Sequence, residues 1–118
     1  MKKDIVPGTN YVIFQNEDEF KYTTDSLILS SFVKSGKKSI DLGCGTGILS
    51  LRVIDRFEEV YSVDINKNVI CSFQKSIKEN NLEEKIKIIE EDIFNLKNIY
   101  ETNCFDSVIF NPPYYNYE

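Results

Sequence analysis

Histidine is absent from this chain of 118 residues. Its absence removes the Ser–His–Asp triad, His-ligated zinc and the imidazole general base together. Cysteine is scarce. Cys44, Cys71 and Cys104 are odd in number and far apart, so neither a disulfide framework nor a zinc spacing is present, and no metal is expected. No signal-peptide pattern is visible, nor any apolar run long enough to span a bilayer. A cytoplasmic, reducing setting without membrane contact is therefore expected. Positive charge is also in deficit: the net charge is −5, and the chain as a whole does not attract polyanions by bulk electrostatics. Lys2-Lys3, Lys34 with Lys37-Lys38, and Lys85 with Lys87 are local basic clusters, each read most simply as solvated lysines.

What remains is ordinary globular composition, 42% hydrophobic and 28% charged, in a length that allows one domain at the small end for an α/β sheet. Residues 11–14 (YVIF) and 19–22 (EFKY) flank an acidic QNED turn and predict a small hairpin. Thr24 or Asp25 can cap a helix whose apolar positions Leu27, Ile28, Phe32 and Val33 recur at helical spacing, with Gly36 placed to end it.

From Ser39 the texture changes to alternating strand and helix. SIDLG predicts a buried strand, followed by a glycine-rich turn and a helix using Ile48, Leu51, Ile54 and Phe57. VYSVD (60–64) predicts a second strand. Asn66 then caps a helix with Val69, Ile70, Phe73 and Ile77 on one face, closing at Asn80-Asn81. Further strands are expected at 86–89 and 106–110. This alternation implies βαβ units in a doubly wound parallel α/β sheet, whose ligands sit beyond the carboxyl ends of the strands. That rule singles out Asp41–Gly47, Asp64-Ile65, Asp92-Ile93 and Asn111–Tyr114.

DLGCGTG (41–47) places glycines at 43, 45 and 47. A dinucleotide fingerprint wants its third glycine where Ile48 stands, and a P-loop wants a lysine the loop lacks. The loop lets a ligand approach the backbone closely but is poorly equipped for phosphate. Asp41, Asp64 and Asp92 fall at or near strand ends and give the pocket a negative rim. Such a rim suits a cation. A sulfonium with an α-ammonium, two ribose hydroxyls and an uncharged adenine fits it, and S-adenosylmethionine has those parts. Asp64 can accept from both ribose hydroxyls, Asp92 with Ile93 can address the adenine edge, and Ile65 offers the ring an apolar face. The plainer alternatives are a helix cap for Asp64 and a solvated loop acid for Asp92. Cys44 reads as a small residue beside the ligand, since no base or cation nearby would activate a thiolate.

Near its end the chain reads FDSVIFNPPYYNYE. Pro112 and Pro113 lock two φ angles and donate no hydrogen bonds, so they hold the exit of the fourth strand rigidly. Asn111 adds a side-chain acceptor and Tyr114 a flat face. Two acceptors plus a stacking ring suit a planar amino group, such as adenine's exocyclic amine or a glutamine amide. Accepting both N–H hydrogens returns electron density to nitrogen and aims it at an electrophilic methyl. No strong general base is needed. The plain alternative is a rigid Pro-Pro turn ending an edge strand.

These residues resemble the class I, Rossmann-like S-adenosylmethionine-dependent methyltransferases that carry an (N/D)PP(Y/F) motif. Within that group, Gln15 followed by FKYTTDSLILSSF (20–32) and then DLGCGTG is similar to the bacterial tRNA adenine-N6 methyltransferases that modify valine tRNA. The resemblance implies that Gly43, Gly45 and Gly47 wrap the methionine end of the cofactor and that Asp64 holds its ribose. It places Asp92 and Ile93 at the cofactor adenine, and Asn111, Pro112, Pro113 and Tyr114 at the target amine, with Asn111 also facing the cofactor. Tyr22 and Thr24 approach the methionyl part, and tRNA is the expected partner. Residues 1–37 are expected to form a hairpin and helix, and 38–118 the N-terminal part of the cofactor-binding domain.

Members of this class carry three further strands after the NPPY turn, so the chain reads as the N-terminal part of an enzyme. The fourth strand is then expected to show an apolar, unpaired edge that pairs with another chain, or else to leave the piece marginally stable. Two other functional readings stay open. One is a protein methyltransferase acting on a glutamine amide of release factors, although Tyr115 stands where that group commonly has isoleucine. The other is a cofactor-binding fragment without turnover.

Overall fold

The computed structural model describes residues 2–15, 24–96 and 105–110. Its centre is a parallel sheet of β3 (Lys38–Leu42), β4 (Glu59–Asp64), β5 (Ile86–Glu90) and β6 (Ser107–Phe110), in the spatial order β5-β4-β3-β6. The strands in the middle are covered on both faces, which is why β3 runs Ser39, Ile40, Asp41, Leu42 without an exposed position. Ile40 pairs in register with Tyr61 of β4 and with Val108 of β6. The strand order reverses direction at β3, so the carboxyl ends of β3, β4 and β6 open a crevice at the switch point.

The crossover helices follow the expected apolar positions. α2 (Ile48–Val53) buries Ile48, Leu49, Leu51 and Val53, and the line continues through a 3₁₀ turn at Ile54–Arg56 to the buried Phe57. α3 (Lys67–Glu79) is capped by Asn66, whose side chain accepts from the N–H groups of Asn68 at 2.9 Å and Val69 at 3.4 Å. Ile70, Phe73 and Ile77 are its buried stripe, and it ends at Asn80 with Asn81 in the left-handed region at φ 58°.

The larger core cluster gathers Leu51, Val60, Phe73 and Ile109 with Val6 and Ile13 from the N-terminal segment; the smaller one joins Ile40, Leu42, Val63 and Leu96. Val60 and Val63 differ in parity along β4, which puts the two clusters on opposite faces of the sheet. No helix among the described residues is long and apolar enough to cross a membrane.

The N-terminal region departs from expectation in two ways. The strand expected at 11–14 is present as β2 (Val12–Gln15), but it pairs antiparallel with β1 (Lys2–Ile5), a strand the charged start of the chain does not advertise. Its expected partner, 19–22, lies outside the described residues. The other edge of β2 is satisfied by side chains of α3 and its C-cap: Asn80, the cap, exchanges two hydrogen bonds with the backbone of Val12, and the Phe14 N–H donates to Ser76 Oγ. Helical spacing could not reveal that Ser76 and Asn80 act as a stand-in strand.

The second departure is α1 (Thr24–Ser31), which ends well before Gly36. Its apolar positions do not face the core as a unit: Ile28 is 52% and Phe32 79% exposed. Two arginines hold it instead. Arg52 Nε donates to Ser30 Oγ at 2.6 Å, and Arg56 Nη1 donates to the carbonyls of Ser30 at 2.7 Å and Val33 at 3.0 Å. These cations take up carbonyls at the helix end, where the macrodipole also favours them. Gly36 has a different role, close approach: a Cβ there would lie 2.6 Å from Asp106 Cβ. The Asp106 carboxylate accepts from the N–H groups of Lys37 at 2.6 Å and Lys38 at 3.0 Å, bonds that lower its pKa and tie the entry of β6 to that of β3.

Candidate functional site

The glycine loop is built by β3 overrunning its neighbour. Past Leu42, the N–H groups of Gly43 and Cys44 both donate to the carbonyl of Val63, at 2.8 and 2.9 Å, folding the chain over the end of β4. The next N–H, of Gly45, donates to Asp64 Oδ2 at 2.8 Å, and that of Gly47 donates to the carbonyl of Cys44 at 3.0 Å. Four of the loop's donors are therefore engaged inside the protein. Phosphate-binding loops work by presenting free N–H groups to the anion, and with four donors engaged this loop is poorly supplied for that task.

All three glycines have positive φ: 74° at Gly43, 57° at Gly45 and 97° at Gly47. Their surroundings divide them. A Cβ on Gly47 would lie 2.3 Å from the Phe73 ring, so that glycine is required by packing against α3. Around a Cβ on Gly43 or Gly45 no atom of the described residues lies within 4 Å, which leaves room for a ligand to reach the backbone there.

Asp64 ends β4 and serves both sides of the crevice. Oδ2 takes the Gly45 N–H, and Oδ1 accepts from the Asn66 N–H at 2.9 Å. The cap of α3 is Asn66, so Asp64 is free of that role and links the glycine loop to the start of the helix. The following residue, Ile65, is exposed. At the end of β5, Asp92 caps a 3₁₀ turn (Ile93–Asn95) by accepting from the Phe94 N–H at 3.0 Å. Ile93 packs partly buried on the smaller core cluster, while its neighbour Phe94, which the sequence reading passed over, is 93% exposed.

Asp41 requires a correction. It is not part of an exposed acidic rim: it is 1% exposed, and burial pushes its carboxyl up to about 6 in spite of a 2.6 Å hydrogen bond from Ser50 Oγ. Oδ2 takes that bond, whereas Oδ1 is buried with no hydrogen-bond partner among the described residues. Burial also raises the Cys44 thiol well above its ordinary value, with Asp41 and Asp64 adding to the effect. A thiol so disfavoured as thiolate is a packing residue.

Sequence reasoning missed the polar partners behind this loop. Ser50 and Ser62 are fully buried beneath Asp41, and Gln15 reaches Thr46 from β2. Ser50 and Ser62 signal themselves only as polar residues inside an otherwise apolar helix and strand, and Gln15, marked by the family resemblance alone, gives no sign of its contact with Thr46. Tyr22 and Asn111, Pro112, Pro113 and Tyr114 lie outside the described residues, and Thr24 opens α1. β6 ends at Phe110, in register with Leu42, the residue before Gly43.

Comparison with known proteins agrees with this geometry. A tRNA1(Val) (adenine(37)-N6)-methyltransferase of Tolumonas auensis is 31% identical over 87% of this chain and 44% of its own length. A ribosomal protein L11 methyltransferase of Lachnospira eligens is 30% identical over 91% of this chain and 34% of its own. The chain thus spans less than half of either relative. Among solved structures, the 16S rRNA N2 G1207 methyltransferase RsmC of T. thermophilus, in complex with AdoMet and guanosine, superposes with a TM-score of 0.77 at 24% identity, covering 97% of this chain and 33% of that one. Residues 16–118 match the methyltransferase small domain model, and with the parallel sheet and its glycine crevice in place, the chain belongs to that family.

Proposed function

We propose that this chain carries the cofactor-binding sheet of an S-adenosylmethionine-dependent N-methyltransferase whose target is the exocyclic amine of an adenine in tRNA. The observation that carries the reading is the buried Oδ1 of Asp41, without a hydrogen-bond partner among the described residues, behind a loop where Gly43 and Gly45 have no described atom near the place of a side chain. A buried carboxylate oxygen without a donor is unfavourable unless a cation or a hydrogen-bond donor completes it. The α-ammonium and sulfonium of the cofactor supply that positive charge, and its ribose hydroxyls are donors, as Asp64 at the lip requires. The chemistry the cofactor brings is an electrophilic methyl on positively charged sulphur.

In this reading Gly43, Gly45 and Gly47 shape the methionine end, with Cys44 a small residue beside it. Asp64 takes the ribose, and Ile65, Asp92 and Ile93 flank the adenine. Tyr22 and Thr24 approach from the N-terminal side. Asn111, Pro112, Pro113 and Tyr114 grip the target amine, which needs orientation and polarisation rather than a strong base. Residues 38–118 are the N-terminal part of the cofactor-binding domain in this reading, and residues 1–37 its N-terminal hairpin and helix.

The similarity to the tRNA adenine-N6 enzymes supports an RNA target, and the comparable similarity to an L11 methyltransferase keeps a protein amine as the second reading. Calorimetry with S-adenosylhomocysteine tests the cofactor site. Labelled-methyl transfer to unmodified tRNA, to ribosomal protein and to release factor then separates the substrates. A heat-free titration would remove the cofactor reading, and label in protein alone would remove the tRNA one.

A further inference from the structure

Gln15 sits at the end of β2, ahead of residues 16–118 that match the family, and nothing in the proposed site uses it. Its burial is unusual for a glutamine. It is 6% exposed, and its Nε2 donates at 2.9 Å to the Oγ1 of Thr46, itself buried between Gly45 and Gly47. A buried amide is retained at this cost only where its bond is made.

The base of this contact is firm. β2 is held on one side by β1 and on the other by Asn80 and Ser76 of α3. Gln15 therefore extends from a strand with both edges bonded. On the far side of the loop, Asp64 holds the Gly45 N–H from β4. Adjacent residues of one loop, Gly45 and Thr46, are thus pulled in by two different parts of the molecule. Among the described residues, Gly43 and Gly45 meet nothing within 4 Å of where a side chain would begin, so no described packing on that side holds the loop, and left-handed backbone is easily lost from glycine.

We infer that Gln15 is a positioning residue: through Thr46 it makes the N-terminal hairpin the second support of the glycine loop and so sets the loop's readiness for an adenosyl sulfonium ligand. The inference rests on the reading of that loop as the cofactor site. It assigns to residues 2–15 a part in cofactor affinity that their distance in sequence from DLGCGTG conceals.

The test uses the full chain with Gln15→Met, which keeps the side chain's length and loses the donor, with Thr46→Val and Thr46→Ser, and with the Met/Val pair. Amide hydrogen exchange of residues 43–47 is followed without ligand, and S-adenosylhomocysteine is titrated by calorimetry. One net hydrogen bond corresponds to roughly a three- to tenfold effect. Gln15→Met and Thr46→Val should each speed loop exchange and weaken binding by about that factor. The double variant should add nothing, Thr46→Ser should restore wild-type behaviour, and exchange within β4 should stay constant. Unchanged loop exchange in Gln15→Met, or additive effects in the double variant, would overturn the inference. Should the wild-type chain bind no S-adenosylhomocysteine, the functional reading falls, while the exchange data still decide whether Gln15 holds the loop.

Discussion

Ser50 donates its hydroxyl proton to Asp41 Oδ2 across 2.6 Å, and Ser62 Oγ stands 2.7 Å from the same Ser50 oxygen. A hydroxyl has one proton to give, so Ser62 is the donor of the second contact and the chain runs Ser62 to Ser50 to Asp41. This relay stabilises one carboxylate oxygen from within the core, while the other has no donor among the described residues.

The Asp41 carboxyl titrates near 3.8 when unfolded and at about 6 when folded, because burial disfavours its charge. The folded chain keeps a proton that the unfolded chain releases, so this group's contribution to stability is lost as pH rises from about 3.8 to about 6. At about 1.4 kcal/mol per pH unit that amounts to about 3 kcal/mol, to order of magnitude. Denaturant unfolding of Asp41→Asn should therefore lack a fall in stability that the wild-type chain shows across this window. Parallel profiles for the two proteins would exclude it. The α-ammonium of the ligand favours the ionised carboxyl and pulls the equilibrium the other way, so S-adenosylhomocysteine should bind more tightly at pH 7 than at pH 5.

Two glycines of the loop should fail differently when replaced by alanine. Gly47→Ala drives a Cβ into the Phe73 ring at a left-handed φ, combining overpacking with backbone strain. It should cost on the order of 3 kcal/mol and lower the melting temperature markedly. Gly45→Ala meets no atom of the described residues and bears the backbone strain, about 1–2 kcal/mol. It should remain folded yet lose cofactor binding, because its methyl group would enter the space proposed for the cofactor. Thermal melts paired with calorimetry distinguish them.

Replacing Asp64 by alanine removes the acceptor for two backbone N–H groups, of Gly45 and Asn66, as well as the acceptor proposed for the ribose. Hydrogen bonds to a charged group are worth about 1.5–3 kcal/mol, so affinity for S-adenosylhomocysteine should fall roughly 10- to 100-fold. Asp64→Asn should lie between alanine and wild type. Wild-type affinity in Asp64→Ala would contradict the placement of the ribose.

Asn80→Ala should loosen the hairpin without touching the sheet. It removes both side-chain bonds to Val12, at 2.9 and 2.7 Å, at a cost of about 1–3 kcal/mol. Fast amide exchange at Val12 with unchanged exchange in β3 and β4 is the expected pattern.

β6 stands at the end of the sheet order, and its Val108 and Phe110 are both about half exposed. We propose that this edge pairs with another strand when two chains meet. Sedimentation velocity should show association that grows with concentration and is suppressed by Val108→Lys. A single monomer species across the concentration range would refute it.

The sheet was legible in the sequence because the strands of a parallel sheet are short, apolar and separated by helices, and 39–43, 60–64, 86–89 and 106–110 carry that pattern. The glycine loop and Asp64 were legible too, since left-handed backbone and a carboxylate at a strand end each demand particular residue types. Packing decided the rest. Asp41 moved from rim to core because β3 is covered on both faces, Gly47 proved to be dictated by Phe73, and Ile28 and Phe32 turned outward while arginines held α1. Local periodicity records which residues one element turns to a common side; it carries no information about which distant residue, such as Ser76, Asn80 or Gln15, will supply a hydrogen bond across the fold, because that pairing exists only once the chain has closed on itself.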